Sequence, residues 1–221
     1  MSTIPKTEAG TGTEGAKPYG LPLTAEELSC LPFVMGGAFV AADAFGLAVI
    51  ESEDDPVFDT GFRSLLVRGL VRLEGDDLGI VEDLAVLGRL LVDATDVWTL
   101  LVETAGPSLE SFAFVRSDVA SACIVPGPAG VFSYRPITTN LPREVAALLD
   151  LSSALEIEPG EGGELFTAAV QRLQPGELAS VVVKAVAPGR FVILSSDGGP
   201  EVPGRQLPGE LARLLGATAL S

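Results

Sequence analysis

The sequence predicts an α+β fold: a mainly antiparallel sheet with flanking helices, arranged as two quasi-symmetric lobes from an internal repeat. The predicted elements run helices, strands, helix, linker, then helix, strands and helix, an order typical of antiparallel α+β proteins. A strand–turn–strand–helix pattern also occurs twice along the chain. Of the 221 residues, 47% are apolar, which is enough to build a globular core.

The repeat is clearest in two nine-residue stretches, 141–149 and 207–215. They run Leu-Pro-Arg-Glu-Val-Ala-Ala-Leu-Leu and Leu-Pro-Gly-Glu-Leu-Ala-Arg-Leu-Leu, with six of the nine positions identical. Proline in the first turn of a helix removes no needed N–H, and the aliphatic residues of each stretch share one face. Each stretch is therefore predicted to be a short helix. Chance similarity between two Leu-rich helices is the alternative interpretation.

A predicted hairpin precedes each of these helices. In the first copy, Ala120–Val125 and Val131–Arg135 flank a turn rich in Pro and Gly. In the second copy, Ala179–Ala187 and Phe191–Leu194 flank another Pro-Gly turn. The strand segments are rich in β-branched residues, which favour strands. The second copy also carries an insertion, Asp197–Pro203, whose composition predicts a surface loop.

The remaining segments predict a tail, two lobes and a linker. Residues 1–20 contain little to bury and are expected to form a flexible tail. Residues 21–151 are predicted to form a first lobe with a helical subdomain, a β-meander and a helix. Residues 152–164 are the predicted linker, and residues 165–221 the second lobe of helix, hairpin and helix. That second lobe would open with a helix over Leu165–Leu173, since Phe166, Ala169, Val170 and Leu173 would share one side.

The helical subdomain of the first lobe starts at a predicted capping box, in which Thr24 caps the helix and Glu27 lies three residues on. Residues 28–50 are apolar, but a proline, an acidic residue and a Gly pair interrupt them, so we expect a buried helix or strand rather than a membrane span. Apolar periodicity predicts two further helices, Phe58–Leu70 and Ile80–Leu91.

Two strands complete the meander of the first lobe. The predicted strands are Val97–Val102 and Ser111–Arg116. Both are rich in the β-branched and aromatic side chains that favour strands. They precede the first hairpin of the repeat, so the four strands are expected to pair in sequence order.

Charge and composition exclude several functions. The formal net charge is −16, from 14 basic and 30 acidic side chains, which disfavours binding to nucleic acid or anionic lipid. Histidine is absent, which removes the commonest general base, the usual catalytic triads and most zinc chemistry. Cys30 and Cys123 lie among apolar residues and are expected to be buried thiols of a reduced, cytoplasmic protein. The sequence shows no secretory signal.

No catalytic, cofactor-binding or metal-binding residue is predicted. There is no Gly-rich phosphate loop with its lysine and no dinucleotide fingerprint. The paired acids Asp54-Asp55 and Asp76-Asp77 lie in turn-like contexts and are expected to be solvated or to cap helices. A serine nucleophile in the loop 195–199 would lack a histidine base. We therefore predict that the protein is not an enzyme and needs no cofactor; an unfamiliar carboxylate site is the third-ranked hypothesis.

Three segments resemble a known family. Leu23–Leu28 resembles an opening Leu-Thr-x-x-Glu-Leu helix. Phe62–Val71, followed by Asp83–Leu87, resembles the Leu-x-x-Arg-Gly-Leu and Asp-Leu-x-x-x-Leu helices of that family. With the two-lobe organisation, these features resemble the EspG family, cytosolic chaperones of mycobacterial and actinobacterial type VII secretion, over about residues 21–216.

The resemblance implies a non-enzymatic chaperone that binds the exposed apolar tip of one subunit of a helical secreted pair. No partner-binding residue is carried over from the family, so the binding face stays unknown at this stage, as does the oligomeric state. The alternative is an immunity or inhibitor protein whose acidic surface neutralises a toxin or another basic partner. Binding by charge would be sensitive to salt, whereas binding of an apolar tip would not be.

Overall fold

A nine-stranded antiparallel sheet forms the centre of the protein, in the order β1-β7-β6-β5-β4-β8-β9-β10-β11. The structure is a computed structural model, and it describes residues 22–75, 77–104, 109–127, 130–154, 163–174, 177–194 and 199–216. The strands of the sheet are β1 (Leu23–Thr24), β4 (Asp96–Thr104), β5 (Leu109–Arg116), β6 (Ser121–Pro126), β7 (Val131–Pro136), β8 (Phe166–Gln174), β9 (Glu177–Ala187), β10 (Arg190–Leu194) and β11 (Glu201–Pro203).

Helices and a separate hairpin surround this sheet. The hairpin pairs β2 (Val71–Glu74) with β3 (Asp77–Ile80) and does not join the nine strands. The helices are α1 (Ala25–Val34), α2 (Pro56–Val67), α3 (Glu82–Val92), α4 (Leu141–Ser153) and α5 (Leu207–Leu214). The fold is therefore α+β with a mainly antiparallel sheet and flanking helices, as the sequence predicted.

Two hydrophobic cores lie on opposite faces of the sheet. The first core packs α1, α2 and α3 against the face of β4 to β7 that bears Val97 and Ile124. The second core packs α4 and α5 against the other face, around Trp98 and Phe191. Antiparallel strands alternate their side chains between faces, so neighbouring residues of one strand enter different cores. Val97 and Trp98 show this directly.

A buried carboxylate anchors the start of the helical layer. Thr24 and Glu27 form the predicted capping box, with the Thr24 N–H donating to Glu27 Oε2 over 2.9 Å. Glu27 is fully buried, and it also accepts hydrogen bonds from the Ser64 hydroxyl and the Arg68 guanidinium of the α2 region. One acid therefore caps α1 and ties it to α2, which an ordinary exposed cap would not do.

The apolar stretch 28–50 is helical only in its first part. It contains most of α1 and then a 3₁₀ turn at Asp43–Phe45, with Leu47 and Ile50 buried in the first core. Pro32 is accommodated inside α1. Among the residues that the structure describes, no helix combines the length and apolar character needed to cross a bilayer.

The predicted helix over Leu165–Leu173 is wrong, because this segment is strand β8. Its buried positions alternate, with Phe166, Ala168 and Val170 entering the second core while the residues between them face the other side. The sequence Phe-Thr-Ala-Ala-Val-Gln-Arg-Leu fits both a helix face and an alternating strand. Pairing with β4 on one side and β9 on the other decides between them.

The predicted repeat is not shown by the strand order. The sequence aligns β6 and β7 with β9 and β10, but these hairpins lie at different distances from the β4/β8 junction. Each half does end in a helix, α4 or α5, on the same face of the sheet. The repeat therefore stays a prediction.

The predicted tail (1–20) and most of the predicted linker (155–162) lie outside the described residues. The start of the linker, Ser152 and Ser153, belongs instead to α4. The predicted loop Asp197–Pro203 is partly described, and Glu201–Pro203 pairs with β10 as an edge strand.

Candidate partner-binding surface

One face of the sheet is only half covered by helices. The pairing register places Val97, Thr99, Leu101 and Glu103 of β4 on the same face as the first core. Helices α1 to α3 cover this face from β7 to the start of β4, and their core ends at Val97 and Leu173. Beyond that boundary, the same face of β4, β8, β9 and β10 carries exposed and half-buried side chains. We call this region the open sheet face.

An apolar row crosses four strands of the open sheet face. Leu101 of β4 pairs with Ala169 of β8, Ala169 with Val182 of β9, and Val182 with Leu194 of β10. Leu101 is 40% exposed and Leu194 is 37% exposed, while the two residues between them are half-buried. Water therefore reaches a continuous strip of aliphatic side chains, which we call the apolar row.

A neutral polar row borders the apolar row on the side of the helical layer. Thr99, Gln171 and Ser180 are paired in register across β4, β8 and β9. The Thr99 hydroxyl donates to Gln171 Oε1 over 3.3 Å. Thr99 is buried, whereas water reaches Gln171 and Ser180, which offer hydrogen bonds without charge.

A charged row borders the apolar row on the opposite side. The row starts at Glu103 of β4, which pairs with Thr167 of β8, and Thr167 pairs with Lys184 of β9. It continues through Val192 of β10 to Glu201 of β11. Glu201 forms an ion pair with Arg190 on the same face. Lys184 Nζ lies 3.7 Å from Glu164 Oε1, a distance at which an exposed ion pair contributes little.

The β2–β3 hairpin presents a second, smaller apolar surface. Leu73 pairs with Leu78 near the hairpin turn, and they are 66% and 43% exposed. Two pairs further from the turn, Val71 is buried in the first core and Ile80 packs against that core. The apolar face of the hairpin therefore continues from the core into solvent.

A buried ion cluster holds the junction between the two halves of the sheet. Asp96 Oδ1 accepts from Arg172 Nε over 2.8 Å and from Trp98 Nε1 over 3.2 Å, and Asp96 Oδ2 accepts from Arg116 over 3.3 Å. Arg172 also donates to the backbone oxygen of Leu215, over 3.0 Å. The cluster links β4, β5 and β8 to the end of α5, on the face away from the open sheet face.

Both cysteine thiols are buried, and their pKa values are raised. Burial, together with the nearby Glu27 carboxylate, raises the pKa of the Cys30 thiol to about 12. Burial also raises the pKa of Cys123 to about 11, partly offset by Arg135. A thiolate is the reactive form of cysteine, so neither side chain is activated.

The paired acids of the sequence are not brought together into a site. Asp55 caps α2 by accepting from the Val57 N–H over 2.7 Å, as predicted for an acid in a turn. Asp77 lies in β3, and Asp76 lies outside the described residues. Within the described ranges, no group of Cys, Asp or Glu side chains is placed to hold a metal ion.

The open sheet face was not predicted from the sequence. The alternation of β9, in which Leu178, Val182 and Val186 are separated by Ser180 and Lys184, was available as a signal. The helix predicted for β8 hides this signal. With β8 as a helix, no sheet would extend from β4 to β9.

Comparison with known proteins shows similarity in structure only. No family model matches the chain, and no curated protein sequence matches it. A solved structure of the type VII secretion system chaperone EspG5 from Mycobacterium tuberculosis, in complex with the PE25–PPE41 dimer, is similar in fold. The TM-score is 0.59 at 10% identity, over 91% of this chain and 97% of that chain. The chain therefore shares its fold with a secretion chaperone, at an identity too low to establish a common function.

Proposed function

We propose that the protein is a non-enzymatic chaperone or adaptor that binds a helical secreted protein of a type VII secretion system. The observation that carries this proposal is the open sheet face, where the apolar row is accessible to water. An accessible apolar strip on a sheet is typical of a surface that binds another protein. The fold likeness to a chaperone whose structure was solved in complex with the PE25–PPE41 dimer supports a protein partner.

Binding at this surface would shield apolar residues of the partner from water. The aliphatic side chains of the row provide the hydrophobic contribution, and the polar rows on both sides provide hydrogen bonds at the rim. This division into an apolar centre and a polar rim is the usual anatomy of a protein interface. The protein would bind its partner without any chemical reaction. We propose that this binding takes place in the cytoplasm, where a secreted protein is held before export.

The exposed leucines of the β2–β3 hairpin add a second contact in this proposal. Leu73 and Leu78 project from a two-stranded ribbon that is anchored to the core only at its base. Such a ribbon can adjust its position more readily than the nine-stranded sheet. It would serve as an adaptable contact beside a fixed one.

A binding experiment at two salt concentrations tests the proposal. The purified protein is mixed with the helical secreted pair encoded beside its own gene, and the affinity is measured by calorimetry at 0.1 M and 1 M NaCl. We expect the dissociation constants at the two salt concentrations to differ by less than about tenfold, because burial of apolar surface is not screened by salt. A pair that does not bind would contradict the proposal. Binding only to a basic toxin, and only at low salt, would support the inhibitor alternative instead.

A further inference from the structure

We infer that the open sheet face binds one amphipathic helix of the partner, and that this helix lies across the strands along the apolar row. The inference rests on the proposed function, because it specifies how the partner occupies the surface proposed there. It adds the geometry of the bound element, its direction relative to the sheet and the charges that it must carry.

The width and length of the apolar row match one helix. The row is a single residue wide and crosses four strands, so three strand spacings of about 4.8 Å give it a length of about 14 Å. A helix rises about 1.5 Å per residue, so roughly ten residues cover that length. The apolar seam of an amphipathic helix over ten residues holds three or four side chains, which is the number of strands in the row.

A helix that lay along the strands would be disfavoured. On β9, the exposed positions alternate between apolar and polar residues, with Ser180 and Lys184 on either side of Val182. An apolar seam placed along this strand would cover both polar side chains and remove their hydration. Burying polar groups without partners costs about 1–3 kcal/mol each in proteins. A helix across the strands keeps each polar row at its rim.

The charged row specifies complementary charges on one side of the helix. Glu103 and Lys184 lie in the same row with one strand between them, so they are about 10 Å apart. That distance corresponds to six or seven residues of a helix. The matching helix therefore carries a basic residue opposite Glu103 and an acidic residue about one heptad away, opposite Lys184. Its other side faces Gln171 and Ser180, and is neutral and polar.

A second copy of the chain does not fit this surface as well. Each chain has a formal net charge of −16, so two copies repel each other at low salt. Self-association is one outcome that the experiment must separate.

Synthetic helices test this inference with the full-length protein. Four peptides of about 20 residues share one leucine seam and differ only in where a Lys and a Glu stand, seven residues apart. Two carry the pair on one side of the seam in either order, and two carry it on the other side. Fluorescence anisotropy measures the affinity of each. A helix can lie in either direction along the row, and reversing it exchanges its two sides. One order on each side therefore places Lys opposite Glu103 and Glu opposite Lys184. We expect these two peptides to bind about three- to tenfold more tightly than the other two, the range given by two exposed ion pairs.

A charge-exchanged variant supplies the decisive comparison. In Glu103→Lys/Lys184→Glu, the preferred peptides are expected to become the two that the wild-type protein binds less tightly. Equal binding of all four peptides by the wild-type protein, or an unchanged preference in the variant, would overturn the inference. Sedimentation of the protein without peptide identifies self-association, and a concentration-dependent dimer that blocks all peptides would also overturn it.

Failure of the inference can be distinguished from failure of the proposed function. The variant Leu101→Thr/Val182→Thr removes apolar surface from the row and retains residues that favour strands. If this variant loses the secreted partner while all four peptides bind the wild-type protein equally, the proposed function holds and the helix geometry is wrong. If the variant binds the secreted partner as well as the wild-type protein does, the open sheet face is not the binding surface.

Discussion

Asp96 and Arg172 are both buried and form charge-assisted hydrogen bonds where the two halves of the sheet meet. Removing Arg172 leaves the buried Asp96 with its longer ion pair to Arg116, and breaking a buried pair costs up to about 3–5 kcal/mol. Arg172→Ala is therefore expected to lower the free energy of unfolding by about that amount. Urea titration followed by circular dichroism measures it.

A matched exposed pair serves as the control for Arg172. Arg213 donates to Glu210 over 2.8 Å on the surface of α5, and its side chain is 67% exposed. Exposed ion pairs contribute about 0–1 kcal/mol, so Arg213→Ala should leave the unfolding midpoint nearly unchanged. Equal losses in the two variants would mean that the buried cluster does not stabilise the junction.

The buried thiols predict a loss of stability at alkaline pH. In the unfolded chain a cysteine ionises near pH 8.5, whereas burial raises the folded-state pKa to about 12 for Cys30 and about 11 for Cys123. A folded-state pKa above the unfolded value gives stability that is complete below the unfolded pKa and is lost as the pH rises toward the folded pKa. At pH 10, each thiol should therefore lower the free energy of unfolding by about 1–2 kcal/mol.

Comparison with a thiol-free variant isolates this contribution. Cys30→Ala/Cys123→Ala is less stable at pH 7 because methyl-sized cavities form, but its stability should fall less between pH 8 and pH 10. Parallel urea titrations at pH 7, 8, 9 and 10 measure the free energy of unfolding of both proteins. The two proteins have the same tyrosines and lysines, so the contribution of these residues to the pH dependence cancels in the comparison. Identical slopes would show that the thiols ionise equally in the folded and unfolded chains.

At the scale of elements, α1 and α2 cross closely at a glycine. A Cβ atom on Gly61 of α2 would lie 2.3 Å from the backbone oxygen of Glu26 in α1. Because the neighbouring atom is backbone, the two helices must move apart to admit a methyl group. Gly61→Ala is expected to destabilise the protein by about 1–3 kcal/mol, measured as the shift of the urea midpoint.

A second helical glycine provides the opposite expectation. No atom lies within 4 Å of the Cβ position on Gly209 in α5. Alanine there restricts the unfolded chain and favours the helix, so Gly209→Ala is expected to stabilise the protein by up to about 1 kcal/mol. If both alanine variants changed stability in the same direction, close packing at Gly61 would not be the cause.

Most elements could be predicted from local sequence, and the exceptions have physical reasons. The helix starts at Thr24 and Asn140 follow from capping residues and proline, and strands β4 to β7 follow from their composition. Strand β8 could not be assigned in this way, because its Ala-Ala centre suits a helix. Its pairing with β4 is also non-local, since Val97 and Leu173 are paired although they lie 76 residues apart in the sequence. Non-local pairing is not visible in a local pattern.

At the scale of the whole molecule, the candidate surface depends on that same strand. Exposure of Leu101 arises because the helical layer ends at Val97 and Leu173, a boundary set by how α1 to α3 pack. The charge of −16 and the absence of histidine, which the sequence shows directly, narrowed the class of function but did not locate a surface. Locating it required the register of four strands.

The central claim is that the apolar row binds the partner. The measurement that tests it most directly is the dissociation constant of the secreted helical pair for Leu101→Thr/Val182→Thr, beside the control Leu151→Gln. Leu151 is 64% exposed on α4, the helix that covers the opposite face of the sheet. Burial of a Leu or Val side chain contributes about 1.5–3 kcal/mol, so partial burial at two positions predicts at least tenfold weaker binding for the row variant and wild-type binding for the control. Equal affinity of the row variant and the wild-type protein would contradict the claim.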